Sequence, residues 1–136
     1  MTLKFLFYAS IVFVSTHAIA QPAKTLQQSI ARGKVVYNQV CNSCHQADGG
    51  GVPNMNPPLI KSKWVAGDKK ALINIVLNGF SEKVAIDGDY YSNNMPSQSQ
   101  LTDLQIADVL TFVRNNFDNK ASAILPQNVK MCRKKQ

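Results

Sequence analysis

The chain has 136 residues, enough for one domain with a modest core. It is basic, with 15 Lys+Arg against 8 Asp+Glu and a formal net charge of +7. No basic stretch is interleaved with aromatics, which argues against nucleic acid as a partner and leaves solubility and steering toward an acidic surface as uses for the charge.

Residues 1–20, MTLKFLFYASIVFVSTHAIA, set Lys4 before an apolar run from Phe5 to Val14 and end in the small-x-small triplet Ala18-Ile19-Ala20. That is the pattern of a cleaved secretory signal, with Gln21 as the new N-terminus. The alternative, an uncleaved anchor, is disfavoured because the run is near ten residues and a bilayer needs about 20. No cysteine follows the run, so the usual lipid-attachment signal is missing. The expectation is an exported chain with no membrane span after cleavage, a domain over 21–119 and a basic C-terminal tail over 120–136.

The first helix is expected from about Leu26 to Val40, with Gly33 inside it at a penalty of about 1 kcal/mol relative to alanine. A glycine there suggests the close approach of another helix. The Gly/Pro/Asn-rich stretch between His45 and Trp64 reads as a long loop, uncommon in so small a domain unless it wraps something. A second helix is expected from Asp68 to Asn78, carrying Leu72, Ile73, Val76 and Leu77 and ending at Gly79. Another irregular stretch follows. The final helix has Thr102 as N-cap and Gln105 three residues on, a capping box, with Leu101 and Ile106 as its hydrophobic staple. Ile106, Val109, Leu110, Val113 and Phe117 form one apolar stripe along it. The fold class is all-α, a few short helices around long loops, and such loops need an internal scaffold.

The motif Cys41-Asn42-Ser43-Cys44-His45 has four readings. A zinc site needs four N or S ligands, which would require Cys132 to fold back, since His17 leaves with the signal. A thioredoxin-like pair belongs at a strand-to-helix junction. A disulfide closing so small a loop constrains little and leaves His45 unexplained. Covalent haem attachment uses all three residues: two thiols add to the vinyl groups on one porphyrin edge, and an imidazole next to the second cysteine can reach the iron. In an exported chain that reading is favoured. With no second histidine in the mature chain, the sixth iron ligand must be another residue type. Methionine is the soft choice, and a His/Met pair raises the potential. Of Met55, Met95 and Met131, Met95 is the best candidate, because Pro96 holds it extended in a polar loop where it has no packing reason to be. Met55 is the runner-up.

Taken together, "CNSCH", "NPPL", "NNMPS" and "LTDLQIADVLTFVRNNF" resemble a class I, single-haem c-type cytochrome, over about Ala31 to Asn119. The resemblance implies the cytochrome c fold wrapped around one covalent haem c. It pairs Gly33 and Tyr37 with Phe112, where the first helix crosses the last. It implies that the carbonyl of Pro57, or of its neighbour Pro58, accepts a hydrogen bond from the ring N–H of His45. More narrowly, "GGGVPNMNPPLIKSKWVAGD" and "IADVLTFVRNNFDN" resemble small cytochromes that serve exported quinoprotein sugar or alcohol dehydrogenases of Gram-negative bacteria. The implied function is a periplasmic one-electron carrier, not an enzyme, that docks redox proteins with acidic surfaces. Lys61, Lys63, Lys69 and Lys70 are candidate steering charges, or simply a solvated face. Trp64, Tyr90 and Tyr91 are either haem contacts or core filler. Cys132 departs from the pattern and reads as a free thiol in a mobile tail, or as one half of an intermolecular disulfide.

Overall fold

The computed structural model describes residues 22–83, 85, 86 and 88–134; the signal expected over residues 1–20 lies outside them. Among these residues six α-helices follow in order: α1 (Pro22–Val36), α2 (Asn42–His45), α3 (Lys63–Ala66), α4 (Lys69–Asn78), α5 (Asp103–Arg114) and α6 (Pro126–Arg133). Among the described residues there are no strands, only three isolated antiparallel bridges. No helix of these residues is long and apolar enough to cross a membrane.

Each helix begins where its capping chemistry allows. Asp68 caps α4 by accepting from the Ala71 N–H at 2.7 Å, and Ser62 caps α3 through the Val65 N–H. The capping box of α5 is complete: Gln105 N–H donates to Thr102 Oγ1 at 3.2 Å, and Thr102 N–H donates to Gln105 Oε1 at 2.9 Å. Gly79, at φ +80°, ends α4 as expected.

The first helix differs from its expected outline. It starts at Pro22, a residue suited to the first helical position, and does not stop at Val40. Tyr37–Cys41 form one π-helical turn, after which α2 carries the chain on to His45. The cysteine motif therefore lies on the helical continuation, not in the loop that follows it.

The α1–α5 crossing organises the core. A Cβ on Gly33 would run into the carbonyl of Asp108, and would lie 2.7 Å from Phe112 Cβ. Only hydrogen at that position lets the helices meet so closely. Beside the crossing, Tyr37 packs against Phe112 and Phe117, with ring centroids 5.3 Å away in both cases. Phe117 joins this cluster from outside the helix: α5 ends at Arg114, and Phe117 and Asp118 both have positive φ. The polar side of the crossing is held by Asp108, which accepts from Ser29 and Arg32.

The expected basic tail over 120–136 is corrected. Ile124, Val129 and Cys132 are buried, and α6 packs on α4 and α5. Thr111 Oγ1 donates to the Ile124 carbonyl at 3.1 Å and accepts from its N–H at 3.0 Å, so the segment docks by its backbone. Arg133 closes the far end on the Ser99 and Leu101 carbonyls and on Asp103. Pro126 at N1 and Asn128, which accepts from the Leu125 N–H at 2.8 Å, start the helix. Burial of Val129 alone contributes about 1.5 kcal/mol or more. Cys132 is accordingly a buried thiol, not a mobile one.

Candidate functional site

A cleft opens between α2 and the helices that face it. Cys41, Cys44 and His45 line it. Its walls are apolar, formed by Leu59, Val65 from α3, Leu72 and Val76 from α4, and Leu110 and Val113 from α5. Phe80 and Met95 complete the lining from the irregular segments.

His45 is fixed by the loop that doubles back on it. Its Nδ1 lies 3.1 Å from the carbonyl oxygen of Pro57. A carbonyl only accepts, so Nδ1 carries the proton and Nε2 keeps its lone pair. The contact is to Pro57, not Pro58. Burial lowers the His45 pKa, against the smaller opposing effect of that hydrogen bond, so the ring is kept neutral. The glycine-rich sequence makes the doubling possible. Gly51, at φ +68°, donates its N–H to the His45 carbonyl at 3.0 Å, and any side chain on it would strike the carbonyls of Asn56 and Pro57.

Cys41 is half-buried and Cys44 exposed; neither is in a disulfide. Burial, then the neighbouring Cys44, pushes the Cys41 thiol up to about 11, so it is a protonated thiol at neutral pH. That disfavours it as a thiolate ligand. Among the described residues no three His, Cys, Asp or Glu converge to hold a metal ion, and Cys132 does not line the cleft, so the four-ligand zinc reading is not assembled.

Met95 is held by its backbone. Phe80 and Met95 exchange two hydrogen bonds of 2.9 Å, and Ser97 Oγ donates to the Leu77 carbonyl at 2.5 Å. The segment thus hangs from the end of α4. Gly79 permits it, since a Cβ there would sit 2.5 Å from the Met95 carbonyl. Met95 is partly buried against the core. The other two candidates lie elsewhere: Met55 is 47% exposed and Met131 56% exposed, and neither is in the cleft lining.

Trp64 and Tyr91 line the cleft, whereas Tyr90 is exposed and does not. Trp64 meets Phe80 edge to face at 5.8 Å. Phe80 had no signal in the sequence beyond following Gly79. Two of the candidate lysines have partners: Lys69 Nζ donates to the Ala123 carbonyl at 2.7 Å, and Lys61 Nζ lies 3.8 Å from Asp118. Lys63 and Lys70 are exposed.

Residues 30–117 match the family model described as Cytochrome c. The chain belongs to the cytochrome c family. It is 36% identical over 89 residues to cytochrome c-552 of Thermus thermophilus, covering 61% of this chain and 66% of that one. It is 35% identical over 98 residues to the cytochrome c subunit of a quinone alcohol dehydrogenase of Gluconacetobacter polyoxogenes. With the gluconate 2-dehydrogenase cytochrome c subunit of Pantoea cypripedii it shares 34% over 94 residues. These matches cover 65% and 67% of this chain but only 19% and 21% of the two subunits, so the chain corresponds to about a fifth of each.

This cytochrome c is a class I, single-haem member with an all-α fold and one covalently bound haem c. The cleft suits that group. It offers apolar walls for a flat macrocycle, a neutral imidazole with a free lone pair, a thioether and two thiols.

Proposed function

We propose that Cys41 and Cys44 form the thioether links to the haem, that His45 and Met95 are the axial iron ligands, and that the chain works as an exported, periplasmic one-electron carrier. When bound, the haem supplies a one-electron Fe(III)/Fe(II) couple. Pro57 holds the His45 ring through Nδ1, so that Nε2 would be left to bind the iron with its basicity raised. The Phe80–Met95 pairing presents the thioether, a soft ligand that favours the reduced state. The apolar walls exclude water and favour it further. The observation that carries the reading is that one cleft gathers Cys41, Cys44, His45 and Met95, while Met55 and Met131 face solvent.

The reading as carrier and not enzyme rests on Met95, which would occupy the iron position that a reacting molecule would need. The donor is proposed to be an exported quinoprotein dehydrogenase of sugars or alcohols. The names of two relatives support this, since both are cytochrome subunits of dehydrogenases. Docking is expected to be weak and fast on an acidic partner surface. Lys63 and Lys70 are the steering charges of choice, because Lys61 and Lys69 have partners of their own.

The visible spectrum of protein made with the haem-attachment machinery tests the assignment. Low-spin c haem when reduced, with a weak long-wavelength sulfur-to-iron band when oxidised, is the expected result. In Met95→Ala that band should vanish and the ferrous protein should bind carbon monoxide. A band that survives in Met95→Ala would remove Met95 as ligand. High-spin iron in the unaltered protein would favour an enzyme or gas sensor.

A further inference from the structure

We propose that Arg114 acts as a buried, uncompensated cation that raises the reduction potential of the haem; this rests on the functional reading above. Arg114 is the last residue of α5 and is only 3% exposed. Its guanidinium stands one residue layer behind the cleft wall. The preceding residue, Val113, lines the cleft, and Nη1 donates at 2.6 Å to the carbonyl of Val65, another lining residue.

The remaining hydrogen bonds also end on carbonyls. Nη1 donates to Gly67 at 3.1 Å and Nε to Ser122 at 2.9 Å. Among the described residues the ion pairs are Arg32–Asp108, Lys61–Asp118 and Arg133–Asp103, and Arg114 is in none of them. The contrast with Arg32 is direct: that guanidinium meets a buried carboxylate, so the pair has no net charge. Within hydrogen-bond reach Arg114 meets only dipoles, three carbonyls and the negative end of α5. Dipoles make burial tolerable, but their fields fall off faster than that of a full charge. At the range of the cleft a net positive charge remains, with little water to screen it.

The acid whose field reaches Arg114 is Asp68. That carboxylate is exposed at the start of α4 and is screened by solvent. Burial outweighs its pull and lowers the Arg114 pKa, though an arginine stays charged. A link between Val65 and Ser122 needs only neutral donors, and a buried charge is the costlier way to make it. A positive charge near a redox centre disfavours the form that is one unit more positive, and so favours the reduced one.

The test uses holoprotein with haem content and spectrum checked first. Midpoint potentials are compared for the unaltered chain, Arg114→Gln and Arg114→Lys, at low salt and at about 1 M salt, where a Debye length of about 3 Å silences surface charges. Arg114→Gln should lower the reduced-to-oxidised ratio at fixed potential about tenfold, equivalent to about 59 mV for one electron. Arg114→Lys should stay within about twofold, and the gap should persist at high salt. An unmoved midpoint in Arg114→Gln overturns the proposal. So does an equal fall in Arg114→Lys, which would reveal a packing role. If Arg114→Gln fails to accumulate, Arg114→Met replaces it, since it keeps most of the side chain's length and removes the charge. That variant should lower the ratio about tenfold as well, and an unmoved midpoint in it overturns the proposal. Unaltered protein without covalent haem would instead overturn the functional reading itself, a result distinct from an unmoved midpoint.

Discussion

Arg32 on α1 grips Asp108 on α5 with two hydrogen bonds, 2.6 Å from Nε to Oδ2 and 2.8 Å from Nη2 to Oδ1. Asp108 is buried and also accepts from Ser29 Oγ at 2.6 Å, whereas the Arg32 side chain is 51% exposed. The pair is thus asymmetric. Losing the arginine strands a carboxylate, while losing the carboxylate releases an arginine that can turn to water. Arg32→Ala should lower unfolding stability by about 1–3 kcal/mol, and adding Asp108→Asn to it should recover part of that loss. Urea unfolding of the holoproteins checks both, and equal losses in the single and double variants would refute the asymmetry.

Gly33→Ala tests the crossing itself. The added methyl has a backbone carbonyl in its way, not a flexible side chain, so α1 and α5 must separate. The expected loss is about 2–3 kcal/mol, although alanine is the better helix former. A gain in the urea midpoint would mean that the helices stand further apart than described.

Gly79→Ala should act on the proposed iron ligand from a distance. The new Cβ would press on the Met95 carbonyl and force an L-residue with a side chain into positive φ. The expected outcome is a weaker sulfur-to-iron band and faster carbon monoxide binding, with His45 untouched. A normal spectrum would show that Met95 does not depend on the end of α4 for its position.

Tyr37 provides the pH prediction. Its hydroxyl donates to the Gln46 carbonyl at 2.6 Å, and burial holds its pKa well above the ordinary phenol range. A folded pKa above the unfolded one contributes stability that is fully present below about pH 10 and lost as pH rises through the folded value. Tyr37→Phe should cost about 1 kcal/mol at neutral pH and flatten the alkaline limb of the stability curve. Ultraviolet titration should find one phenol that ionises only on unfolding, and that phenol should vanish in Tyr37→Phe.

Cys132 should be silent in the folded holoprotein. With Cys41 and Cys44 in thioether links, alkylation is expected to label no thiol in native buffer and one in denaturant. Two or more thiols on denaturation would contradict the haem attachment, and one in native buffer would contradict the docking of α6.

Legibility in the sequence followed the range of the interactions. The α4 and α5 boundaries rest on contacts three or four residues apart, Asp68 with Ala71 and Thr102 with Gln105, so local pattern sufficed. The cysteine motif and Met95-Pro96 stood out as candidates because their residue types are chemically restrictive, and the structure brings them to one cleft. The C-terminal segment was not. Its buried side chains, Val129 and Cys132, are sparse among lysines and arginines, and its docking depends on backbone bonds to Thr111. Asn128 and Pro126 were the only local signals. Arg114 reads as a surface residue at the end of a helix because its three acceptors come from segments up to 49 residues away. The π-helical turn was hidden for a different reason: a stripe at α-helical spacing cannot reveal one extra residue in a turn.

That turn takes up a residue without redirecting the cysteine motif. Gly33 meets α5, Tyr37 touches both α5 and the cleft, and Cys41 and His45 line the cleft on the same continuous run of helix. An i→i+5 turn holds one residue more than an i→i+4 turn for about the same rotation. Deleting Asn38 or Gln39, both exposed, would leave every contact residue in place and would let the helix close as ordinary α, with Cys41 and His45 still turned to the cleft. The chain carries a spare residue there, and its aim does not depend on it.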